Sequence, residues 1–452
     1  MKCYLMNREN PVAMIEYDTD LIVITKIQEI YDMNSMPLRI QNSFKDKSKN
    51  STKELNNWFK GRGIPSWRKD LKRLLDNLNI EFAEELLDKA YGLSLSDQYW
   101  FKSVDDKVRW EDINFFDNDF EFEGFLTASF SDSIDSSQIN KESYVSPNNT
   151  TDGMLQKAWI IENNKRILIK GTYTASRQEP INEWLSSQIC KRLGFDYCNY
   201  EVDHYKDNIV SKCLNFLNNE EEIVPACDLF ESKKKDNNTN DYEHYINILE
   251  DLNIPDVREN LENMFIVDYL VMNEDRHLRN FGAIRNVITG KYEKLTPIFD
   301  TGQSMQCSKL TNNMNFYDGQ GKFFYNTNKS FSSYPSYVKD ITRIDLSKLD
   351  GLNTEYEYML KKFQKDMDMT DQRVDKLVNG FTQRVNDLSK QIHSIKLEQQ
   401  EPEKYKEKDD TQVQNVSKHK SIADRMAEAK AKAKASTQKE NSKVHSKNEL
   451  QR

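Results

Sequence analysis

Apolar residues recur along this chain with two periods, one near two and one near 3.6. Leu21-Ile-Val-Ile-Thr is a compact β-branched run and Pro37-Leu-Arg-Ile a second short apolar piece, so residues 1–45 are predicted to form a small β-containing unit. From 46 to 128 the pattern is mostly helical. Ser51-Thr-Lys-Glu54 has capping-box spacing ahead of Leu55 and Trp58. Ser66 is placed to cap a second helix with Trp67, Leu71, Leu74, Leu75 and Leu78 on one face, and a third helix near 81–91 stops at Gly92. An aromatic cluster runs from Trp110 to Phe120. Residues 129–149, rich in Ser, Asp and Asn, are predicted to be a linker or mobile loop.

After 150 the pattern changes. Lys157-Ala-Trp-Ile-Ile and Arg166-Ile-Leu-Ile-Lys170 read as strands turning at Asn163-Asn164. A helix over 180–193 ends at Gly194, and a hairpin follows over 197–204 and 209–214. Residues 150–216 thus form a small β-rich lobe. In 241–272 Leu261, Met264, Phe265, Tyr269 and Met272 fall on one helix face, with Pro255 suited to a first turn. A hairpin over 282–287 and 292–299 closes at Asp300, and 335–396 is mostly helical. Residues 217–396 are therefore a second, helical lobe.

Composition changes this picture mainly at the C-terminus. The chain is 37% apolar and 30% charged, polar for a globular protein. Residues 397–452 are charged, and Thr411–Arg452 holds ten Lys or Arg against four Asp or Glu, with no aromatic residue. Without an apolar stripe this is expected to be a disordered or lone-helix tail. Its charge suits nucleic acid or an anionic surface, and a merely solvated tail is an equal reading. The overall net charge of -9 excludes a nucleic-acid coat. Six scattered cysteines without a CxxC pair fit reduced thiols. No apolar run reaches transmembrane length and no signal-peptide core is present, so a soluble cytoplasmic protein is expected.

The chemistry concentrates at Asn273-Glu-Asp-Arg-His-Leu-Arg-Asn280-Phe-Gly and at Pro297-Ile-Phe-Asp300-Thr-Gly. Phosphoryl transfer needs such a set: Asp275 to accept or orient a hydroxyl proton, Asn280 and Asp300 to hold magnesium on ATP phosphates. The plainer alternative has Asp275 and Asn280 only capping a helix end. His277 is either a catalytic-loop histidine or, more in keeping with a base already supplied by Asp275, a structural hydrogen-bonder. Arg276 and Arg279 are expected to be solvated.

Lys170 ends an apolar strand, where a lysine pairs with ATP phosphates and a helix glutamate. Glu183 is the natural partner and Glu179 the fallback. The candidate phosphate loop, Thr150-Thr-Asp-Gly153-Met-Leu-Gln-Lys157, has one glycine. Thr151, Gly153 and the backbone amides would take phosphate there and Lys157 would add charge, although an ordinary turn reads almost as well. The adenine hinge is expected near Cys213, Leu214 and Asn215. Asp117-Asn-Asp119 lacks the glycine and distal glutamate of a calcium loop and reads as surface. The order of these parts gives an α+β fold: two-lobed and protein-kinase-like, with a small β-rich N-lobe, a helical C-lobe and a mostly helical N-terminal extension.

Four segments resemble the HipA-like serine/threonine kinases, whose founders are toxins of bacterial toxin–antitoxin modules. They are Thr151–Lys157, Arg166–Lys170, Glu179–Glu183 with Ile189–Gly194, and Asn273–Gly282 with Phe299-Asp300. Leu93–Trp100 and Asn114–Asp119 resemble upstream regions of such proteins from low-GC Gram-positive bacteria. The Asp-Arg-His-x-x-Asn signature is also similar to that of phosphoinositide-type kinases. The resemblance implies an ATP- and Mg²⁺-dependent kinase with Asp275 as catalytic aspartate, Asn280 and Asp300 as metal ligands and Lys170 as the ATP lysine. It further implies autophosphorylation near the phosphate loop, at Thr150 with Thr151 and Ser146 as neighbours. A translation factor or aminoacyl-tRNA synthetase as substrate, and an antitoxin or DNA-binding partner protein, are implied in the same way. Two alternatives stay open: a small-molecule or lipid-headgroup kinase, and a non-catalytic nucleotide-binding regulatory protein.

Overall fold

Strands β1 (Lys2–Asn7), β2 (Asn10–Asp18) and β3 (Val23–Ile30) form an antiparallel meander, and β4 (Tyr99–Ser103) returns to pair with β1. The sheet order is β3-β2-β1-β4. Its inner face, with Leu5, Val12, Ile15 and Tyr17, packs on Ile40 of α1 (Leu38–Lys45) and on Leu55 and Phe59 of α2 (Ser51–Lys60). The cap of α2 is Asn50, whose side chain accepts from the Lys53 N–H at 3.0 Å, not the predicted Ser51. The fourth strand of the first sheet comes from the region read as helical. That region also supplies α3 (Leu71–Leu78), α4 (Ala83–Lys89), α5 (Trp110–Ile113) and α6 (Glu123–Phe130).

This computed structural model describes residues 1–66, 68, 71–78, 80–130, 145–151, 155–323 and 327–400. Trp67, Gly153, most of the expected 129–149 linker and nearly all of the basic tail lie outside the described residues.

The small lobe has the predicted order. β5 (Lys157–Glu162) and β6 (Lys165–Lys170) turn through Asn163 and Asn164, both at positive φ, as a two-residue hairpin requires. Then come α7 (Glu179–Leu193), β7 (Tyr200–Tyr205) and β8 (Asn208–Leu214), in the sheet order β5-β6-β8-β7. Helix α7 stops at Gly194, in the left-handed region at φ 79°, whose N–H donates to the Cys190 carbonyl.

The second lobe opens with β9 (Glu221–Pro225), α8 (Ala226–Phe230) and α9 (Asp241–Asp251). Helix α10 (Val257–Val271) follows, and every residue from Leu261 to Val271 is buried. A single buried face was expected; α10 is instead central, covered by α9, α7, β11 (Tyr292–Leu295) and the turns over 331–337. β10 (Gly282–Asn286) pairs with both β9 and β11. A short hairpin, β12 (Gln320–Lys322) and β13 (Asn328–Ser330), precedes α11 (Leu352–Lys362) and α12 (Asp371–Gln400). Met1–Ser389 form one unit, and Lys390 begins a second. No helix among the described residues is long and apolar enough to cross a membrane.

One segment departs sharply from expectation. Ser146, Asn148 and Asn149, read as part of a mobile linker, are buried. Asn148 accepts from the Trp159 N–H at 2.5 Å through Oδ1 and donates to the Trp159 carbonyl at 3.2 Å through Nδ2. It therefore acts as a strand partner on the free edge of β5. Asn149 donates to the Leu86 carbonyl at 2.8 Å. Polar side chains that looked solvent-seeking satisfy backbone groups at the seam between the extension and the small lobe.

Candidate active site

Lys170 is the last residue of β6, and the register sets it opposite Ser211 of β8. Its Nζ meets Glu183 Oε1, and the Ser211 hydroxyl donates to Glu183 Oε2. The same ammonium lies 2.6 Å from Asp300 Oδ1. Lys170 and Glu183 are buried. Asp300 arrives on an extended segment in which Ile298 bridges to Tyr197 and its carbonyl accepts from the Cys198 N–H at 3.0 Å. Asp300 itself sits at φ 55°, a strained conformation for a residue with a Cβ, and its N–H donates to Tyr200 Oη at 3.2 Å.

The charges of this trio are interdependent. Burial favours neutral Lys170, but the Asp300 and Glu183 carboxylates outweigh it and raise its pKa. Burial likewise works to raise Asp300, yet the Lys170 ammonium, then Lys157 and His277, hold it well below the usual carboxylate range. For Glu183 burial exceeds the pull of Lys170, and its pKa is raised. One carboxylate, Asp300, is thus held ionised beside the Lys170 ammonium.

The loop after α10 is bonded to itself. Asn273 donates from its backbone to the Asp268 carbonyl at 3.0 Å and from Nδ2 to Asp268 Oδ1 at 2.9 Å. Its Oδ1 accepts from the Asp275 N–H at 3.2 Å. The Asp275 carbonyl accepts from the His277 N–H at 2.8 Å and from Asn280 Nδ2 at 2.9 Å. Asn280 thereby spends its amide nitrogen inside the loop, and its oxygen is the atom a hard cation would take. The Asp275 carboxyl stays 34% exposed. His277 accepts from the Arg279 N–H at Nδ1 (3.2 Å), and its Nε2 lies 3.8 Å from Asp275 Oδ2. Burial lowers the pKa of His277 from its ordinary value.

Behind β8, Cys213 is buried with Cys198 and Tyr200, and Leu168, Phe216 and Phe299 pack against them. Leu214 is exposed, and the Asn215 N–H donates to the Arg166 carbonyl at 2.9 Å. An apolar cluster therefore joins the end of β8 to the segment that delivers Asp300.

The HipA-like C-terminal domain family matches residues 150–387, which contain every one of these groups. The chain belongs to this family. A relative, "Serine/threonine-protein kinase CtkA" of Helicobacter pylori (strain J99), is 24% identical over 253 residues, 47% of this chain and 76% of the relative. Two solved structures are similar. The H. pylori proinflammatory kinase CtkA has a TM-score of 0.41 at 16% identity, covering 53% of this chain and 95% of that one. HipA of Shewanella oneidensis MR-1, in a complex with HipB and operator DNA, has a TM-score of 0.45 at 12% identity, covering 86% and 97%.

Within this HipA-like domain the expected residues divide into two groups. Lys170, Glu183 and Asp300 converge, Asp275, His277 and Asn280 share one loop, and Lys157 stands opposite Lys170 in the β5–β6 register. Glu179, the fallback partner for Lys170, instead accepts from the N–H groups of Tyr173 (3.0 Å) and Thr174 (2.6 Å). Thr151 is held by the extension: Arg68 donates to its hydroxyl at 2.9 Å and to its carbonyl. Thr150 Oγ1 donates to the carbonyls of Leu93 at 2.9 Å and Pro147 at 3.0 Å.

Arg276 corrects the expectation of a solvated side chain. It is 3% exposed, pairs with Asp268 through Nε (2.9 Å) and Nη2 (3.0 Å), and donates from Nη1 to the carbonyls of Asn280 (2.8 Å) and Phe299 (2.7 Å). One guanidinium thus ties α10 to both chemical segments, using the fork geometry peculiar to arginine. Arg279 is exposed, as expected. Sequence reasoning missed Asp268, Ser211 and Lys322. The signal for Asp268 was a carboxylate within the otherwise apolar second half of α10, Met264–Val271; for Ser211 and Lys322 there was none, since only register and long-range packing bring them in.

Proposed function

We propose that this HipA-like protein transfers the γ-phosphate of ATP to a serine or threonine hydroxyl of a protein. The observation that carries the reading is the Lys170 ammonium held between Glu183 and Asp300. That arrangement sets one cation against an ionised carboxylate, and Arg276 ties the segment carrying that carboxylate to the Asp275–Asn280 loop. The name borne by the H. pylori relative supports a protein acceptor.

In this reading adenine takes the apolar cluster next to Cys213, Leu214 and Asn215, and Lys170 and Lys157 face the phosphates. Asn280 and Asp300 are hard oxygen donors and fit Mg²⁺, which when bound neutralises phosphate charge. Asp275 accepts the proton of the attacking hydroxyl. His277 and Arg276 keep the loop in shape. The test is phosphate transfer from labelled ATP to self or lysate protein, compared with Asp275→Asn. Equal background labelling of both proteins sinks the enzyme reading.

Autophosphorylation at Thr150 is part of the same proposal. The Thr150 hydroxyl is engaged by Leu93 and Pro147, so its modification requires the segment to leave the extension. Mass spectrometry of the 140–157 peptide after incubation with ATP tests this. An unmodified peptide from an active enzyme counts against it.

A further inference from the structure

Lys322 Nζ lies 2.5 Å from Asp275 Oδ1, although 47 residues separate them. The contact is built in by the backbone. The Lys322 N–H donates to the Glu274 carbonyl at 3.1 Å, which lays β12 directly along the loop that carries Asp275. Gly321 permits that approach: a Cβ there would stand 2.6 Å from the Asn273 carbonyl oxygen and 2.9 Å from the Phe331 ring. The Lys322 carbonyl accepts from Tyr334 Oη at 3.3 Å, and the hairpin register pairs Lys322 with Asn328. Lys322 and Asp275 are respectively 47% and 34% exposed. A pair that open to water adds little to stability, so fold maintenance does not account for such an elaborate placement.

We propose that Lys322 is a positioning residue for phosphoryl transfer: it holds the Asp275 carboxylate in the rotamer that receives the substrate proton. The inference rests on the kinase reading above. In the step concerned, the acceptor hydroxyl oxygen forms a bond to the γ-phosphorus of ATP. The bond from that phosphorus to the β–γ bridging oxygen breaks, and its electron pair leaves with ADP. The hydroxyl proton passes to Asp275 Oδ2, the oxygen that lies 3.8 Å from His277 Nε2, while Lys322 retains Oδ1. The backbone bond to Glu274 keeps Lys322 beside Asp275, and the hydrogen bond from its ammonium biases one carboxylate oxygen and leaves the other to the substrate.

The experiment measures initial rates of label transfer from ATP to casein for wild type, Lys322→Met, Lys322→Arg, Asp275→Asn and the Lys322→Met/Asp275→Asn double variant. Lys322→Met is expected to lose about tenfold or more in kcat, with KM for ATP nearly unchanged. Lys322→Arg should recover most of that loss. In the Asp275→Asn background, Lys322→Met should have no further effect, which a purely structural role would not produce. Wild-type kcat in Lys322→Met, a rise in kcat, or additive losses in the double variant each overturn the proposal while leaving the kinase reading intact. Wild-type labelling no greater than that of Asp275→Asn overturns both.

Discussion

Lys170 and Glu183 form an ion pair in which the two side chains are only 3% and 1% exposed. Removing one partner from such a pair leaves an uncompensated buried charge, whereas the intact pair is satisfied by Ser211 and Asp300 around it. Lys170→Met is therefore expected to lower folding stability by about 3–5 kcal/mol and to reduce phosphate transfer at least ~100-fold. Glu183→Gln keeps the shape and one acceptor oxygen for Lys170, with its amide nitrogen donating to Ser211 in place of accepting from it, and should cost more activity than stability. Urea denaturation and label transfer from ATP measure the two effects separately.

Arg276 is the second test. Arg276→Ala strands the Asp268 carboxylate inside α10 and frees the Asn280 and Phe299 carbonyls. A loss of about 3–5 kcal/mol is expected. Arg276→Lys should recover little, because a point ammonium cannot span the carboxylate and both carbonyls. A urea midpoint for Arg276→Ala equal to wild type would remove the tie assigned to it.

Glu222 makes stability depend on pH. It pairs with Arg285 at 2.6 Å, and Arg285 also donates to Tyr99 Oη at 3.0 Å, joining β9 and β10 to the first sheet. Glu222 Oε2 is buried without a hydrogen-bond partner among the described residues. Burial pushes the carboxyl from its ordinary 4.5 up to about 7 against the pull of Arg285. Between those values the folded state holds more protons than the unfolded chain, so stability falls as pH rises through that window. The contribution is complete below the lower value and spent above the upper one, on the order of 3 kcal/mol. Glu222→Gln should flatten the stability profile over this range, as followed by urea midpoints at a series of pH values.

Gly282 gives a steric prediction. It opens β10 two residues after Asn280, and a Cβ there would stand 2.3 Å from the Val224 carbonyl oxygen. Backbone cannot swing aside as a flexible side chain does. Gly282→Ala is expected to push β10 from β9, destabilise the protein by about 1–3 kcal/mol or more, and displace Asn280. The readout is a lower urea midpoint together with, on the proposed kinase reading, a higher Mg²⁺ concentration for half-maximal phosphate transfer.

Much of the small lobe was readable from residue order alone. The Asn163-Asn164 turn, the Gly194 stop and the strand–strand–helix–strand–strand succession depend on contacts within a few residues, where chain connectivity leaves few alternatives. The spacing of Asp275, Asn280 and Asp300 was likewise visible, since a self-bonded loop and a following hairpin are local structures.

Other features depended on which distant segments meet. Glu179 and Glu183 lie one turn apart on the same helix face. Only the seating of α7 against β6 and β8 gives Glu183 to Lys170 and leaves Glu179 to the amides of Tyr173 and Thr174. The first sheet could not be completed from residues 1–45, because β4 returns from the region around 100. Ser146, Asn148 and Asn149 read as loose linker because they are polar, and they are buried because backbone groups of Trp159 and Leu86 meet the two asparagine side chains; Leu93 and Arg68 of the extension likewise hold Thr150 and Thr151, which read as phosphate loop. Arg276 and Lys322 belong to the same class. A charged side chain carries no mark of its partner in the linear order, and its burial or exposure is settled when carbonyls and carboxylates from separate elements are brought within hydrogen-bonding reach.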